Sequence, residues 1–250
     1  MQKAKLTEVL PVPTRCGDCP IRRQALFQVV SDEYLNEAEA RRNGQYRLAA
    51  RHQVYQQGAP ATMAYTVFNG WLLLYRTHSD GSRQGLRIAL PGDFVGYVPL
   101  DDSHYSHSAM AVTDAVLCGF RQPDMQAIIN KDANIARQIT TIQAGYLATC
   151  EENVLGLGRK SAEQRIAFAI AELRQRLERL GMVEPSAAAI PFPLTQEMLG
   201  ELTGLTPVHT NRVLRRLRED GVMACERQRV EILDPQRLAT IGEFQDDHGH

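Results

Sequence analysis

The alternation of apolar and polar residues predicts a strand-rich region over residues 46–120. Short apolar runs are separated there by turn residues, as in HQVYQQG, MAYTVFNGWLLLYRTHSDG, GLRIALPGDFVGYV and AVLCGFR. Strands this short and this closely spaced are typical of a small β-barrel or β-roll. The dipeptides Asn69-Gly70 and Asp80-Gly81 predict hairpin turns between neighbouring strands, because both residue types accept a positive φ.

Apolar residues at helical spacing mark the segments on either side of this region. Residues 29–44 are predicted to form a charged helix, and 123–129 a short one. A long helix without internal proline is predicted over 134–157, followed by an amphipathic helix over 161–180. The Pro/Ala-rich segment 182–193 is predicted to be a loop.

The long helix carries apolar residues at repeated spacings of three and four. A helix of this length between two domains often pairs with its copy in a second chain, as in a coiled coil. The alternative is an ordinary core helix. The predicted dimer contacts are Ile135, Ile139, Ile142, Tyr146, Cys150, Val154 and Leu157.

Residues 194–223, LTQEMLGELTGLTPVHTNRVLRRLREDGVM, predict two short helices joined by a tight turn. Thr195 and Thr206 are placed to cap the two helices, and Pro207 falls at a first helical position, where its missing N–H costs nothing. Gly204 permits the sharp turn. This pattern predicts a helix-turn-helix, and a strand pair over 226–233 adds a wing.

The second helix of this motif is rich in arginine on the face that its apolar residues leave free. A guanidinium bonds both O6 and N7 of guanine, so Arg212 is the strongest candidate for a base contact. Asn211 could bond adenine or a phosphate, and His209 could do either. Arg215 and Arg216 are expected at phosphates. The predicted contacts with double-stranded DNA are Thr206, Val208, His209, Asn211, Arg212, Arg215 and Arg216.

Composition limits the class of protein. The chain has 250 residues, 44% of them hydrophobic, and a formal net charge of −1. A chain this close to neutral is not a histone-like binder, so DNA affinity requires locally clustered charge. We expect a cytoplasmic protein without a membrane span, because no apolar run approaches the ~20 residues that a span needs and no secretory signal is evident.

Together these elements predict an α+β chain. The expected domains are a cysteine-containing segment (1–28), a β-roll sensory domain (29–133), a dimerisation helix (134–158) and a winged helix-turn-helix domain (159–250). No nucleophile elbow, phosphate loop or catalytic carboxylate pair is evident, so we do not expect an enzyme.

This order of elements resembles the Crp/Fnr superfamily of bacterial transcription regulators over nearly the whole chain. The resemblance is carried by FNGWLLLY, DGSRQGL, LPGDFVG, GRKSAEQRIAFAI and the helix-turn-helix itself, in that order. It implies a cyclic-nucleotide-binding-like roll, a homodimer, a two-fold-symmetric operator near a promoter, and RNA polymerase as a partner. It also favours activation over repression.

The residues after the LPGD turn predict a roll that does not bind a cyclic nucleotide. In the cyclic-nucleotide branch an arginine follows this turn and binds the phosphate. Here FVGYVPLDDSHYSHSAMAVTD follows, with no arginine before Arg121 and with acidic Asp101 and Asp102. An anionic phosphate would meet acid and no cation, which is electrostatically unfavourable.

The Fnr branch matches the cysteine pattern more closely. Its members hold an oxygen-labile 4Fe–4S cluster, and Cys16, Cys19 and Cys118 occupy three of the four cysteine positions. The remaining cysteine, expected six to eight residues after Cys19, is replaced by residues such as Ala25 or Phe27. Three interpretations stay open: a labile cluster or one with a non-cysteine ligand, a thiol or other metal switch, and a cysteine set without a cofactor.

Three further expectations concern other residues. The family commonly places a glutamate four residues before the reading arginine, where this chain has Val208, so the usual half-site is not expected and a thymine methyl becomes a candidate contact. Cys150 and Cys225 are expected to be small core residues.

A second class of function is a small-molecule-binding or metal-binding protein built on the β-roll. Its metal site would use His78, His104, His107, Asp101 and Asp102.

Overall fold

The computed structural model describes residues 8–9, 13–98 and 104–244. The chain forms two compact units, 1–148 and 149–250, and their boundary falls inside one long helix. Within the described ranges, no helix is both long enough and apolar enough to cross a bilayer.

Two antiparallel sheets form the first unit. Its strands are β1 (Glu8–Val9), β2 (Gly44–Leu48), β3 (Gln53–Tyr55), β4 (Met63–Asn69), β5 (Leu72–Thr77), β6 (Arg83–Ala89), β7 (Phe94–Val95), β8 (Ser108–Ala111) and β9 (Ala115–Arg121). One sheet has the order β1-β2-β9-β4-β7, and the other has the order β3-β8-β5-β6. Fully buried side chains such as Leu48, Leu72 and Leu117 belong to one core cluster of this roll. The predicted β-roll is confirmed.

One of the two predicted hairpins is wrong. Asp80-Gly81 does join paired strands, since Thr77 of β5 lies opposite Arg83 of β6. Asn69-Gly70 instead connects β4 to β5, which belong to different sheets. Gly70 has φ +86°, and a Cβ there would lie 2.4 Å from the Asp114 carbonyl oxygen. The glycine therefore serves a close backbone approach at the crossing between the sheets.

Helices pack against the five-stranded sheet of this unit. They are α1 (Asp32–Arg41), α2 (Gln122–Lys131) and the first part of α3 (Ala133–Arg159), and two short 3-10 turns precede them at Arg22–Gln24 and Leu26–Val29. Leu26 and Phe27 are buried, and the Phe27 ring lies 5.4 Å from that of Phe120, centroid to centroid. The cysteine-containing N-terminal segment thus packs directly onto the sheet.

The two ends of α3 differ in what covers them, which corrects the predicted dimer seam. Ile135 and Ile139 are 1% and 9% exposed, because they belong to the core of their own chain. They are therefore not available to a second chain. Further along the helix Leu147, Val154 and Leu157 are 60%, 69% and 41% exposed.

The second unit contains the predicted winged helix-turn-helix. Its elements are α4 (Ala162–Arg179), β10 (Ala189–Pro191), α5 (Gln196–Thr203), α6 (Pro207–Glu219), β11 (Met223–Glu226), β12 (Arg229–Ile232) and α7 (Pro235–Gly242). The sheet order is β10-β12-β11, so the predicted loop 182–193 contains a strand. Ser161 caps α4 in a capping box with Gln164, which fixes where this helix begins.

Candidate nucleic-acid interface

Side-chain caps fix the two helices of the motif. The Thr195 hydroxyl accepts a hydrogen bond from the Met198 N–H at 3.2 Å, and the Thr206 hydroxyl accepts one from the His209 N–H at 3.3 Å. Gly204 ends α5 with φ +65°, a conformation that glycine adopts without a steric penalty. These local predictions are confirmed.

A close contact between α5 and α6 was not predicted from the sequence. A Cβ on Gly200 would lie 2.5 Å from the Leu205 carbonyl oxygen and 3.1 Å from the Thr210 hydroxyl oxygen. Thr210 is fully buried. The signal in the sequence was a glycine on the apolar side of α5, facing a small residue one turn into α6. This contact sets how close the two helices come.

The cation of Arg165 holds the end of α5. Its Nη1 atom donates to the Thr203 carbonyl oxygen at 2.7 Å, from the first turns of α4. Cations near a helix C-terminus are favourable because the last carbonyls lack intrahelical donors. The motif is thereby attached to α4 as well as to its own turn.

The arginine-rich face of α6 is open to solvent. Val213 and Leu217 are 7% and 0% exposed and anchor the helix, whereas Val208 is 72% exposed. The residues exposed on α6 include Thr206 at its cap and then Val208, His209, Asn211, Arg212, Arg215, Arg216 and Arg218. All the side chains predicted to contact DNA therefore lie on the solvent side of the motif.

The arginines of α6 differ in their partners. Arg215 lies 3.7 Å from Glu219, and Arg216 lies 3.8 Å from both Glu163 and Asp220. Arg212 has no ion pair or side-chain hydrogen bond with any residue in the described part of the chain. Its guanidinium keeps all its donors for an outside acceptor.

The wing adds exposed polar side chains at its turn. Arg227 and Gln228 have φ values of 44° and 65°, as expected for the tight turn between β11 and β12. Arg229 follows, and its Nη2 atom donates to the Ala189 carbonyl oxygen at 3.4 Å. Cys225 is exposed on this wing, so the expectation that it is a core residue is wrong. Cys150 is exposed on α3 of the single chain, and its place in a dimer seam stays a prediction.

A second candidate site is a pocket in the first unit that contains the N-terminal cysteines. Cys16, Cys19 and Cys118, the candidate cluster ligands, line it together. Its other lining residues are Thr14, Ile21, Arg22, Ala25, Phe27, Leu35, Arg42, Gln45, Thr66, Phe68 and Phe120. Arg42 Nη1 lies 3.8 Å from the sulfur of Cys16, and Gln45 Nε2 lies 3.5 Å from that of Cys118.

The environment keeps these thiols protonated. Burial raises the pKa of Cys16 to about 11, although the Arg42 guanidinium opposes the shift. Burial also raises the pKa of Cys19 and of Cys118. A thiol, unlike a thiolate, is a poor nucleophile and a poor metal ligand.

The pocket does not fit a four-thiolate cluster. Ala25 and Phe27 present apolar groups where a further ligand is needed. Among the described residues, no three His, Cys, Asp or Glu side chains are grouped so that they could hold a metal ion.

The residues of the alternative metal site on the roll have other partners. His78 pairs with Asp80 at 3.2 Å, and His107 faces the Tyr55 hydroxyl at 2.9 Å. Asp101 and Asp102 lie outside the described residues.

A β-roll, a long helix and a winged helix-turn-helix with an exposed arginine face define a DNA-binding regulator of transcription. Residues 46–132 match the cyclic nucleotide-binding domain, and residues 164–241 match the Crp-like helix-turn-helix domain. The chain is 32% identical to the transcriptional activator protein FnrL of Cereibacter sphaeroides over 93% of this chain and 94% of that protein. The chain belongs to the Crp/Fnr family of transcription regulators.

Other relatives agree with this assignment. The nitrogen fixation regulation protein FixK of Bradyrhizobium diazoefficiens is 27% identical over 90% of this chain and 93% of its own length. The fumarate and nitrate reduction regulatory protein of Salmonella typhimurium is 22% identical over 90% of this chain and 89% of its own length. The structure of FixK2 from Bradyrhizobium japonicum superposes with a TM-score of 0.71 and 26% identity, covering 79% of this chain and 96% of that one.

Proposed function

We propose that the protein is a homodimer that binds a two-fold-symmetric operator through α6. The observation that carries this proposal is the exposed face of α6 with Arg212 unpaired at its centre. Two half-sites about one helical turn apart suit two such helices held by one dimer. The exposed Leu147, Val154 and Leu157 supply apolar surface for the second chain.

Each side chain of α6 has a role in this proposal. Arg212 bonds the O6 and N7 atoms of guanine, and Val208 contacts a thymine methyl. Asn211 and His209 lie beside them and contact bases or the nearest phosphates. Arg215 and Arg216 bind phosphates, as does the Thr206 hydroxyl at the helix start. Because phosphate contacts release counterions, affinity is expected to fall steeply with salt.

We infer that the signal is oxygen or redox state rather than a cyclic nucleotide. The support for redox input is the convergence of Cys16, Cys19 and Cys118 on one pocket against the roll. Redox input is also supported by the name of one relative, the fumarate and nitrate reduction regulatory protein. Against a cyclic nucleotide, the buried Arg87 is paired with Asp93 at 3.3 Å, and no arginine or lysine occurs in residues 94–120.

A second candidate is a regulator whose activity follows its own abundance. The raised pKa of Cys16 disfavours a reactive thiol, and the apolar Phe27 offers no ligand atom to the pocket. Both observations favour this candidate. In both cases we propose a cytoplasmic activator that contacts RNA polymerase. The relative FnrL is a transcriptional activator protein, which supports activation.

The experiment that tests the proposal has two stages. The full-length protein first selects its operator from a random-sequence duplex library under anaerobic conditions, and we expect two inverted half-sites. The affinity for that operator is then measured before and after exposure to air, in parallel with the Cys16→Ser and Cys150→Ser variants. A redox input through the pocket predicts a change that Cys16→Ser abolishes and Cys150→Ser retains.

The same titration separates the candidates. An affinity that is unchanged by air in every variant would contradict redox input and favour control by abundance. An affinity that changes on addition of a cyclic nucleotide would contradict both. Selection of sites without inverted repeats would contradict the dimeric arrangement.

A further inference from the structure

A hydrogen bond joins the two helices of the motif on their exposed side. Asn211 Nδ2 donates to Gln196 Oε1 at 3.0 Å. Gln196 is the first residue of α5, directly after its cap Thr195, and Asn211 immediately precedes Arg212. Both partners are exposed, so this pair lies on the surface that the proposed function places against DNA.

The chemistry of the asparagine amide limits what it can read. Its NH₂ group has two donors, and its carbonyl oxygen is an acceptor. Gln196 accepts one of the two hydrogens, which leaves the second hydrogen and the carbonyl oxygen of Asn211. That donor and acceptor complement N7 and the N6 amino group of adenine in the major groove. Guanine offers two acceptors on the same edge and would oppose the carbonyl oxygen.

Reading a base edge requires a fixed amide plane, and an exposed asparagine alone has free side-chain rotation. The bond to Gln196 restricts the Asn211 amide, because the Gln196 backbone lies in the first turn of α5, which Thr195 caps. Gln196 therefore acts through Asn211 and is a positioning residue.

We propose that Gln196 orients Asn211 to read an adenine next to the guanine bound by Arg212. This inference rests on the proposed function and adds one base to the half-site. Two roles for Gln196 can be distinguished by experiment, namely positioning Asn211 and binding a phosphate. A glutamine that positions Asn211 affects one base position, whereas one that binds a phosphate affects all sequences equally.

The test uses the full-length protein and its selected operator, with each base pair of the half-site replaced in turn. Asn211→Ala is expected to lose about ten-fold of the discrimination for adenine, in line with the loss of a bidentate contact. Gln196→Met keeps the side-chain length and removes the acceptor, and it is expected to lose about three-fold or more of the same discrimination. Gln236→Met, an exposed glutamine of α7, is the matched control and should lose none.

Rescue by a conservative variant makes the test specific. Gln196→Glu still accepts a hydrogen bond from Asn211, so it is expected to retain the adenine preference. Because its charge lies near the DNA phosphates, it is also expected to bind all duplexes more weakly. A uniform loss with Gln196→Met, or no loss at all, would overturn the inference. Failure of the wild-type protein to select any sequence would instead contradict the proposed function.

Discussion

The guanidinium carbon of Arg87 lies 3.5 Å from the ring centroid of Tyr146. Arg87 is on β6 and also pairs with Asp93, whereas Tyr146 is on α3. The Tyr146 hydroxyl lies 3.3 Å from the Phe94 carbonyl oxygen. The turn after β6 is thereby attached to α3 within the first unit. Tyr146, predicted to contact a second chain, is half-buried against its own roll, and its contact with a second chain stays a prediction.

This relationship predicts different effects for two Tyr146 variants. Tyr146→Leu removes the ring that covers the Arg87 guanidinium and is expected to lower the free energy of unfolding by about 1–2 kcal/mol. Tyr146→Phe keeps the ring and loses the hydroxyl, whose contacts with Asp93 and Phe94 are long, at 3.4 and 3.3 Å. We therefore expect a change within about 0.5 kcal/mol. Urea unfolding of both variants measures the difference. Equal losses would show that the cation–ring contact contributes nothing.

The helix contact at Gly200 predicts a loss of stability when a methyl group is added. Gly200→Ala places a Cβ 2.5 Å from the Leu205 carbonyl oxygen, and we expect the free energy of unfolding to fall by about 1–3 kcal/mol. Gly145→Ala on α3 is the matched control, since nothing lies within 4 Å of its Cβ. That variant should gain up to about 1 kcal/mol from helix propensity. A tolerated Gly200→Ala would contradict the close packing of α5 on α6.

His107 predicts how stability depends on pH. Burial, together with Arg87 and Arg76, lowers the pKa of His107 from 6.5 to about 4. Between these values the unfolded chain binds a proton that the folded chain does not, so stability is lost as the pH falls below 6.5. The loss amounts to at most roughly 1.4 kcal/mol per pH unit over this window.

The measurement compares wild-type protein with His107→Gln. Urea unfolding at about pH 7 and about pH 5 should give a stability loss in the wild type that is smaller in the variant. Glutamine keeps a side-chain acceptor for the Tyr55 hydroxyl and has no titrating group. An identical pH dependence in both proteins would show that His107 does not contribute.

The exposed apolar residues Leu147, Val154 and Leu157 of α3 are predicted to hold two chains together. Val154→Lys introduces a charge at a residue that is 69% exposed, so the single chain should remain as stable while the dimer dissociates. Sedimentation velocity should show a monomer. Val29→Lys, at a valine that is 38% exposed on a 3-10 turn, is the control and should leave the assembly unchanged. A dimer that survives Val154→Lys would place the interface elsewhere.

The helix-turn-helix could be predicted from sequence because its signals are local. Thr195, Gly204 and Thr206 act on their own turns, so residue type and spacing suffice to place them. The strands of the roll were also predictable, because turn residues delimit them. The sequence did not predict which sheet each strand joins, because Asn69-Gly70 has the same composition whether the chain reverses or crosses to the opposite sheet.

The spacing of apolar residues does not show whether a helix face is covered by its own chain or is exposed, because that depends on tertiary packing. Ile135 and Val154 belong to one predicted seam, yet the first is covered by its own chain and the second is exposed. The bond between Gln196 and Asn211 was also missed, because its partners are 15 positions apart and nothing local to either indicates the other. Family resemblance pointed to Cys16, Cys19 and Cys118 as candidate ligands of one cluster, whereas their raised thiol pKa values follow from burial, which the sequence did not reveal.

One binding titration tests directly whether Arg212 reads a base. The affinities of wild type, Arg212→Ala and Arg216→Ala are measured on the selected operator and on a random duplex at several salt concentrations. We expect Arg212→Ala to lose about 1–3 kcal/mol on the operator and little on random DNA. Arg216→Ala should weaken both about equally and lower the salt slope by about 1. Unchanged operator preference in Arg212→Ala would contradict the account.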